Sequence, residues 1–291
     1  MFIATLIAAA LPKGEVSVAH DRLDAAGCLP VANVWVEPGE ACDVEFARDP
    51  AAARMALEGQ GYDVIVQPAE HRRKKLIVAD MDSTMITVEC IDELADYAGI
   101  KAEVALVTEA AMRGEMDFGQ ALDARVALLR GMDESVIDRC LAERVRVMPG
   151  ARELVRTMRG HGATAILVSG GFTRFAEPVA REIGFDRAIA NVLEVVDGKL
   201  SGAVRKPIVD ASTKLATLAE AILDLGLSPE ETLAVGDGAN DLAMITQAGL
   251  GVAYHAKPVV AEAADARIDH GDLSALLFAQ GYARKDWVTA Q

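Results

Sequence analysis

The sequence has few cysteines, and none of its apolar runs reaches the roughly 20 residues that span a bilayer. The apolar N-terminal run, residues 2–11, lacks the positively charged start of a signal peptide, so we predict a buried β-strand there. The cysteines lack the spacing of metal ligands, and we expect them to be reduced thiols of a cytoplasmic protein: Cys28, Cys42, Cys90 and Cys140. A membrane-spanning protein and a disulfide scaffold are therefore disfavoured.

Positive charge is also scarce, with 29 basic residues against 44 acidic ones and a formal net charge of −15. Nucleic acids and anionic membranes attract proteins largely through Lys and Arg, because these side chains replace the counterions of the phosphates. We therefore expect neither nucleic acid nor membrane as a partner. A small anionic substrate would need a local positive site, such as a metal ion or helix N-termini, against this overall charge.

Residues 1–70 are predicted to form a small α+β domain. The order of its patterns is β-α-β-β-α-β, which is typical of a ferredoxin-like fold. The strands are expected at 2–9, 31–36, 43–46 and 62–67, and the helices at 20–26 and 50–60. A short basic run, residues 71–75, follows this domain. We interpret it as a solvated linker, and a nucleic-acid-binding patch is the weaker alternative.

Residues 71–291 are predicted to form a larger α/β domain. Apolar runs typical of strands buried on both faces alternate there with helical patterns, at 76–79, 165–168, 233–235 and 251–253. This alternation predicts a doubly wound, mostly parallel, Rossmann-like sheet. Residues 89–146 carry helical periodicity alone, so we predict a helical bundle inserted after the first strand of this sheet. Such an insertion would overhang the sheet edge as a cap.

Polar residues follow three of the apolar runs. They are Asp80 and Asp82 after the first, Ser169, Gly170 and Gly171 after the second, and Asp237, Asn240 and Asp241 after the third. Because ligands of open parallel sheets bind beyond the C-terminal ends of the strands, we expect these residues to share one site. Lys214, near the start of a later helix, is a further candidate.

These residue types suit phosphoryl transfer. Converging carboxylates repel each other unless a cation lies among them, and a hard ion such as Mg²⁺ prefers oxygen ligands. Asp80 can attack phosphorus, while Asp82 can exchange a proton with the leaving oxygen and with water. Ser169 and the glycine N–H groups can cradle phosphate oxygens, and Lys214 can neutralise their charge. Asp237 would bind the metal ion, with Asn240 and Asp241 holding the ion or its surroundings.

Four motifs together resemble the haloacid-dehalogenase superfamily of phosphatases. They are D-M-D-S-T at 80–84, S-G-G-F at 169–172, Lys214, and G-D-G-A-N-D at 236–241. Within this superfamily the chain resembles the phosphoserine phosphatase family, on the matches Val88-Glu89, Arg125-Val126 and Ala256-Lys257-Pro258. The resemblance extends from about residue 74 to the C-terminus.

The resemblance implies a role for each motif residue. Asp80 would be the nucleophile and Asp82 the acid/base, with Mg²⁺ held by Asp80, the Asp82 carbonyl and Asp237. Phosphate would contact Ser169, Gly170 and Lys214, and Asn240 would orient groups near it. Glu89 and Arg125 match the positions that bind the amino-acid part of the substrate, and Met112 and Phe118 match residues that shield the pocket. The implied reaction is the hydrolysis of O-phospho-L-serine through an aspartyl phosphate, the last step of serine biosynthesis.

The N-terminal domain lies outside the well-matched region. Several bacterial members of the family carry an N-terminal extension, sometimes similar to an amino-acid-binding ACT domain, and the predicted element order is compatible with that. No ligand-binding motif is evident in residues 1–70, so serine binding there is a weak hypothesis. A homodimer is likewise only a hypothesis at this point.

Two alternatives stay open. The first is a phosphatase or phosphotransferase that acts on another small phosphomonoester. The second is a non-catalytic amino-acid sensor built on the same scaffold. The presence of Asp80, Asp82, Lys214 and Asp237 together disfavours the sensor, because a binding protein does not need both a nucleophile and an acid/base.

Overall fold

A computed structural model describes residues 1–289, apart from the side chain of Met112. Its strands and helices, in chain order, are β1 Phe2–Ile7, α1 Lys13–Ala25, β2 Pro30–Glu37, β3 Ala41–Phe46, α2 Pro50–Ala56, β4 Asp63–Pro68, β5 Leu76–Ala79, α3 Cys90–Ala98, α4 Lys101–Met112, α5 Phe118–Ala127, α6 Ser135–Arg144, α7 Ala151–Gly160, β6 Thr164–Phe172, α8 Thr173–Ile183, β7 Arg187–Asn191, β8 Leu193–Val196, β9 Lys199–Val204, α9 Ala211–Leu225, β10 Thr232–Gly236, α10 Leu242–Gln247, β11 Leu250–Tyr254, α11 Pro258–Ala263, β12 Ala266–Ile268 and α12 Ala275–Ala279.

The N-terminal elements form a four-stranded antiparallel sheet in the order β2-β3-β1-β4, which is the ferredoxin-like arrangement that the sequence predicts. Helix α1 begins at Lys13, earlier than predicted. Its first turn is polar and hides the helical period, whereas Val16, Ala19 and Leu23 are buried at the spacing of one helix face. Helix α2 begins after Asp49, whose side chain accepts a hydrogen bond from the Ala52 N–H at 3.0 Å.

The larger sheet has six parallel strands in the order β12-β11-β10-β5-β6-β7, with helices packed against it. The predicted fold class is therefore confirmed. The prediction missed the two edge strands, β7 and β12. Both are short and contain polar residues, since an edge strand does not need the continuous apolar run of a central strand.

A helical insertion, α3 to α6, follows β5 in the chain, before the helix α7 that leads to β6. Helix α5 starts with a capping box between Asp117 and Gln120. The insertion rests on the hairpin β8–β9, which turns at Asp197-Gly198 as the sequence predicts. The insertion also reaches the segment before α9 through an ion pair between Asp123 and Lys206, 2.8 Å apart.

Among the described residues, no helix combines the length and the apolar character needed to cross a membrane.

Polar contacts of three side chains join the N-terminal domain to the C-terminal part of the chain. The Asp63 carboxylate accepts hydrogen bonds from the backbone N–H groups of residues 269, 270 and 271, at 2.8, 3.0 and 2.7 Å. Arg72 pairs with Asp43 at 2.7 Å and also donates to the Ala279 carbonyl. The Gln67 amide donates to the same carbonyl at 2.8 Å. These contacts fix the N-terminal sheet against the C-terminal part of the chain.

The prediction that residues 71–75 form a solvated linker was wrong for two of its side chains. Arg72 is mostly buried in its pair with Asp43, and Lys74 is only 4% exposed. The Lys74 ammonium donates to the Glu230 carbonyl at 2.8 Å. A run of charged residues indicates solvent exposure only when no other part of the chain covers it, and here the N-terminal sheet and the loop before β10 do so.

The burial of Lys74 predicts a pH dependence of stability. Loss of solvent lowers the pKa of Lys74 to about 8, against an ordinary value of 10.5. Between these values an unfolded Lys74 binds more protons than the folded one, so the contribution of Lys74 to the free energy of unfolding should rise as the pH rises from 8 to 10.5. The difference between the two values corresponds to a contribution of about 3 kcal/mol.

Urea unfolding at several pH values, on the unaltered chain and on Lys74→Met, measures this contribution. The rise should be reduced in Lys74→Met and retained in Lys75→Met, whose side chain is mostly exposed. Parallel pH profiles for all three proteins would contradict the prediction.

Candidate active site

The C-terminal ends of β5 and β10 bring three carboxylates together. Asp80 directly follows β5, and its N–H donates to the Val235 carbonyl of the neighbouring strand at 3.0 Å. Asp237 and Asp241 come from the turn after β10. Oxygens of Asp80, Asp237 and Asp241 all lie within 4.8 Å of one another. The parallel register of the two strands thus produces the cluster that the strand-end argument anticipates.

Lys214 lies behind this cluster and is fully buried. Its ammonium donates to Asp80 Oδ1 at 2.5 Å and to Asp241 Oδ1 at 2.6 Å. Burial alone would lower the pKa of Lys214, but the attraction of the two carboxylates outweighs it and raises that pKa. Lys214 is therefore a positive charge held directly against Asp80 at the end of β5.

One lysine does not balance three carboxylates. Burial, followed by the charge of Asp80, raises the pKa of Asp241 to about 7, and the same two causes raise the pKa of Asp237. Such raised values indicate an excess of negative charge in a site with little water. An oxygen-lined cluster with excess negative charge fits a hard divalent cation. The Asp237 carboxylate is itself oriented by the Thr84 hydroxyl, which donates to it at 3.1 Å.

Asp82 points from the loop after β5 towards the same cavity. Its Oδ1 accepts a hydrogen bond from the Cys90 N–H at 3.1 Å, at the start of the helical insertion. Loss of solvent, together with the charges of Glu89 and Asp80, raises the pKa of Asp82 to about 8. This shift favours the protonated form of the carboxyl group, which is the form that can donate a proton.

The second predicted motif, residues 169–172, lies within β6 and not in a loop after it. Pairing of β6 with β7 is nevertheless interrupted between Val168 and Phe172, so the backbone of Gly170 and Gly171 is free of the regular ladder. The Gly171 N–H donates to the Ser169 hydroxyl at 2.8 Å. A Cβ on Gly171 would lie 3.0 Å from Asp82 Oδ2, which explains the glycine at this close approach.

Glu89 is held by the loop that carries the nucleophile candidate. The Ser83 hydroxyl donates to Glu89 Oε1 at 2.8 Å. Ser83 itself has a positive φ of 55°, a left-handed conformation that turns the chain sharply after Asp82. Glu89 therefore has a defined position beside Asp82 even without a ligand.

Arg125 lies on α5 of the helical insertion, where its Nε donates to the Ala121 carbonyl at 3.2 Å. Burial lowers the pKa of Arg125, and the charges of Asp92 and Glu89 partly oppose this effect. The guanidinium stays charged, because its ordinary pKa is far above neutrality. Its remaining donors are available to a ligand carboxylate.

A cavity of about 550 Å³ connects these groups. Most of the predicted site residues line it, namely Asp80, Asp82, Glu89, Arg125, Gly170, Asp237 and Asn240. Ser169 and Lys214 lie buried behind its wall. Phe118 from α5 also lines the cavity, with its ring against Gly170. The side chain of Met112, predicted to shield the pocket, lies outside the described residues.

Four residues of the site have roles that only the structure shows. Asp241 had no settled role, although its place in G-D-G-A-N-D beside Asp237 was a signal; in the structure it binds Lys214. Thr84 and Lys257 were not assigned to the site, yet Thr84 contacts Asp237 and Lys257 lines the cavity. Ser83 was missed because a serine in a turn is ordinary until its partner Glu89 is seen.

Comparison with known proteins gives consistent results. The haloacid dehalogenase-like hydrolase family matches residues 77–246. A phosphoserine phosphatase of Streptomyces coelicolor is 46% identical over 252 residues, which are 84% of this chain and 61% of that protein. The crystal structure of a probable phosphoserine phosphatase from Vibrio cholerae superposes with a TM-score of 0.78 and 32% identity, covering 98% of this chain and 87% of that one.

A further solved structure is a phospho-aspartyl intermediate analogue of phosphoserine phosphatase, with a TM-score of 0.65 and 38% identity. It covers 71% of this chain and 98% of that one. By contrast, this chain spans only about three fifths of the length of the Streptomyces protein. The resemblance that the motifs predict is confirmed by these matches. The chain belongs to the haloacid dehalogenase-like hydrolase family, and within it the chain is similar to phosphoserine phosphatases.

Proposed function

We propose that this chain is a Mg²⁺-dependent phosphoserine phosphatase, which hydrolyses O-phospho-L-serine to L-serine and phosphate as the last step of serine biosynthesis. The observation that carries the proposal is one cavity that joins the Asp80–Lys214 pair to Glu89 and Arg125. The first pair suits a phosphate group, and the second suits an ammonium and a carboxylate. The similarity to phosphoserine phosphatases supports the same substrate.

In the first half-reaction, a carboxylate oxygen of Asp80 attacks phosphorus and the bond from phosphorus to the serine oxygen breaks. The Asp82 carboxyl donates its proton to that oxygen, so serine leaves as a neutral alcohol. The raised pKa of Asp82, about 8, supports this role. Lys214 and the backbone N–H groups of the β6 end would oppose the negative charge on the transferring phosphoryl group.

In the second half-reaction, water attacks the phosphorus of the aspartyl phosphate. Asp82, now ionised, accepts a proton from the water, and the bond from phosphorus to Asp80 breaks. Phosphate leaves and both carboxyl groups return to their starting states. The contact between the Phe118 ring and Gly170 supports a helical cap that keeps bulk water out until serine has left.

The residues proposed to hold Mg²⁺ are Asp80, Asp237 and the backbone carbonyl of Asp82. The bound ion supplies positive charge that offsets the clustered carboxylates and the phosphate oxygens. Asp241 remains the partner of Lys214 and keeps that ammonium beside Asp80. Its position supports a role in holding Lys214, in addition to a place beside the ion.

Substrate selection is assigned to two charged side chains that line the cavity. Glu89 would pair with the substrate ammonium and Arg125 would bind the substrate carboxylate with two parallel hydrogen bonds. Asn240 would orient groups near the phosphate, with Ser169, Gly170 and Lys214 holding the phosphate itself. The fixed position of Glu89, hydrogen-bonded to Ser83, supports a preformed ammonium site.

The proposed division of the chain is an N-terminal ACT-like domain, residues 1–70, and a catalytic domain, residues 71–291, with the cap at about 89–146. A cytoplasmic location is supported by four free, buried cysteines. The ferredoxin-like sheet leaves β2 at an edge, which is compatible with a homodimer.

A panel of phosphomonoesters tests the proposed function. Phosphate release should be fastest with O-phospho-L-serine and should fall at least about tenfold with analogues that lack the ammonium or the carboxylate. The panel should contain phosphoethanolamine, phosphoglycolate and an aryl phosphate. Fastest turnover of an ester lacking both charged groups would replace phosphoserine with another substrate, and binding of serine without any turnover would favour the sensor.

Metal removal provides the control for the same assay. Treatment with EDTA should abolish phosphate release, and added Mg²⁺ should restore it, because three clustered carboxylates otherwise repel the phosphate. Full activity after exhaustive chelation would contradict the assigned cofactor without touching the substrate assignment.

A further inference from the structure

Asn191 is a buried polar residue, at the end of β7, that has no place in the reaction described above. It is only 2% exposed, and its side chain makes three hydrogen bonds. The amide nitrogen donates to the Gly170 carbonyl at 2.8 Å and to the Val209 carbonyl at 3.1 Å. The amide oxygen accepts from the Val209 N–H at 2.8 Å.

These bonds connect two segments that are distant in sequence. Gly170 belongs to the proposed phosphate cradle at the end of β6. Val209 precedes Asp210, which caps α9 by accepting a hydrogen bond from the Thr213 N–H at 3.0 Å. The next residue of that first turn is Lys214. Asn191 therefore lies between the backbone that would bind phosphate and the helix that places the ammonium beside Asp80.

The bonds also take the place of ladder hydrogen bonds that are absent between β6 and β7 at this point. The pairing of β6 with β7 skips from Val168 to Phe172, so Gly170 lacks a regular partner on β7. The Asn191 side chain supplies that partner from the strand that lost it. Among side chains, only an uncharged amide provides two donors and an acceptor in this geometry.

We infer that Asn191 is a positioning residue for phosphate binding: it sets the spacing between the Gly170 backbone and the start of the helix that carries Lys214. The inference rests on the proposed function of the site. It assigns Asn191 no contact with the substrate or with the amino-acid part of the cavity, where Glu89 and Arg125 lie.

The test is Asn191→Ala, measured with Mg²⁺ present. The dissociation constant of inorganic phosphate from calorimetry, and KM for both phosphoserine and an aryl phosphate, should rise about tenfold, as expected when the groups that bind the phosphate are misplaced. The inhibition constant of L-serine should stay unchanged, because Asn191 makes no bond to Glu89 or Arg125, the residues proposed to bind serine. Asn191→Ser, which keeps one donor and is milder for folding, should show a smaller shift of the same kind.

Gln280→Ala is the matched control. Gln280 is also a fully buried amide, and it bonds the Lys74 N–H at 3.0 Å and the Leu276 carbonyl at 3.0 Å, away from the cavity. The control should lose thermal stability and leave phosphate affinity unchanged. If Asn191→Ala and Asn191→Ser behave like this control, Asn191 is structural and the inference is wrong. Absence of phosphoserine turnover in the unaltered chain would instead refute the proposed function, while phosphate affinity would still test Asn191.

Discussion

Asp80→Asn is expected to reduce phosphate release from phosphoserine by at least about 10³-fold, to the background of the assay. The amide has the shape of the carboxylate, but its oxygen is a poor nucleophile and cannot form a stable acyl phosphate. The remaining carboxylates, Asp237 and Asp241, come from the neighbouring turn after β10.

The fold should survive this substitution. Lys214 loses the negative charge of one partner, but its second bond, to Asp241 at 2.6 Å, keeps the ammonium paired with a carboxylate. The charge of Asp80 raises the pKa of both Asp237 and Asp241, so its removal should lower both values. Circular dichroism and urea unfolding should therefore show a folded protein, and calorimetry should show that it still binds phosphate.

Asp43→Asn is the matched control for Asp80→Asn. Asp43 is also a buried aspartate paired with a basic side chain, Arg72, but it lies in the N-terminal sheet. This variant should lose stability and keep its rate per folded molecule. Turnover by Asp80→Asn above a few per cent of the original rate would remove Asp80 from the role of nucleophile; deamidation of the asparagine must be checked by mass spectrometry.

Arg125→Ala is expected to lower kcat/KM for phosphoserine by about 10²-fold, the effect of removing one partner from a charge-assisted, partly desolvated pair. The same variant should change kcat/KM for an aryl phosphate by less than about threefold, since that ester has no carboxylate to bind. The physical reason is the position of Arg125 on the cap, on a different segment from Asp80 and Lys214, with its side chain lining the cavity.

Arg139→Ala is the control for Arg125→Ala. Arg139 lies on α6 of the same insertion, but its guanidinium covers the ring of Tyr97 and does not line the cavity. Both substrates should be turned over normally by this variant. Equal losses on both substrates in Arg125→Ala would mean that Arg125 closes the cap or supports the fold, and the carboxylate-binding role would then be wrong.

The features that the sequence predicts well are those carried by local patterns. The central strands β5, β6, β10 and β11 are continuous apolar runs because both of their faces are buried, so they can be found without a structure. The hairpin turn at Asp197-Gly198 follows from local conformational preferences. The edge strands β7 and β12 lack such a pattern, and they form only because a neighbouring strand offers hydrogen bonds.

The candidate site divides in the same way. Asp80, Asp82 and Asp237 could be named because each follows an apolar strand, and parallel strands end at one edge of a sheet. The partner of Asp241, the hold of Ser83 on Glu89 and the bridge made by Asn191 could not be named. Each of these depends on which side chains meet once the chain has folded, and no local sequence pattern shows that.

The sequence by itself determined the fold class, the superfamily and the set of groups able to transfer a phosphoryl group, because strand patterns and short motifs are local properties. Only the tertiary structure decided how those groups are charged and held. Lys74 and Arg72 look like solvated linker residues until the N-terminal sheet covers them. Asp82 is an ordinary carboxyl group until burial and the nearby charges of Glu89 and Asp80 raise its pKa to about 8. Solvation and charge proximity arise when distant segments pack, and they are the quantities that turn a motif into a reactive site.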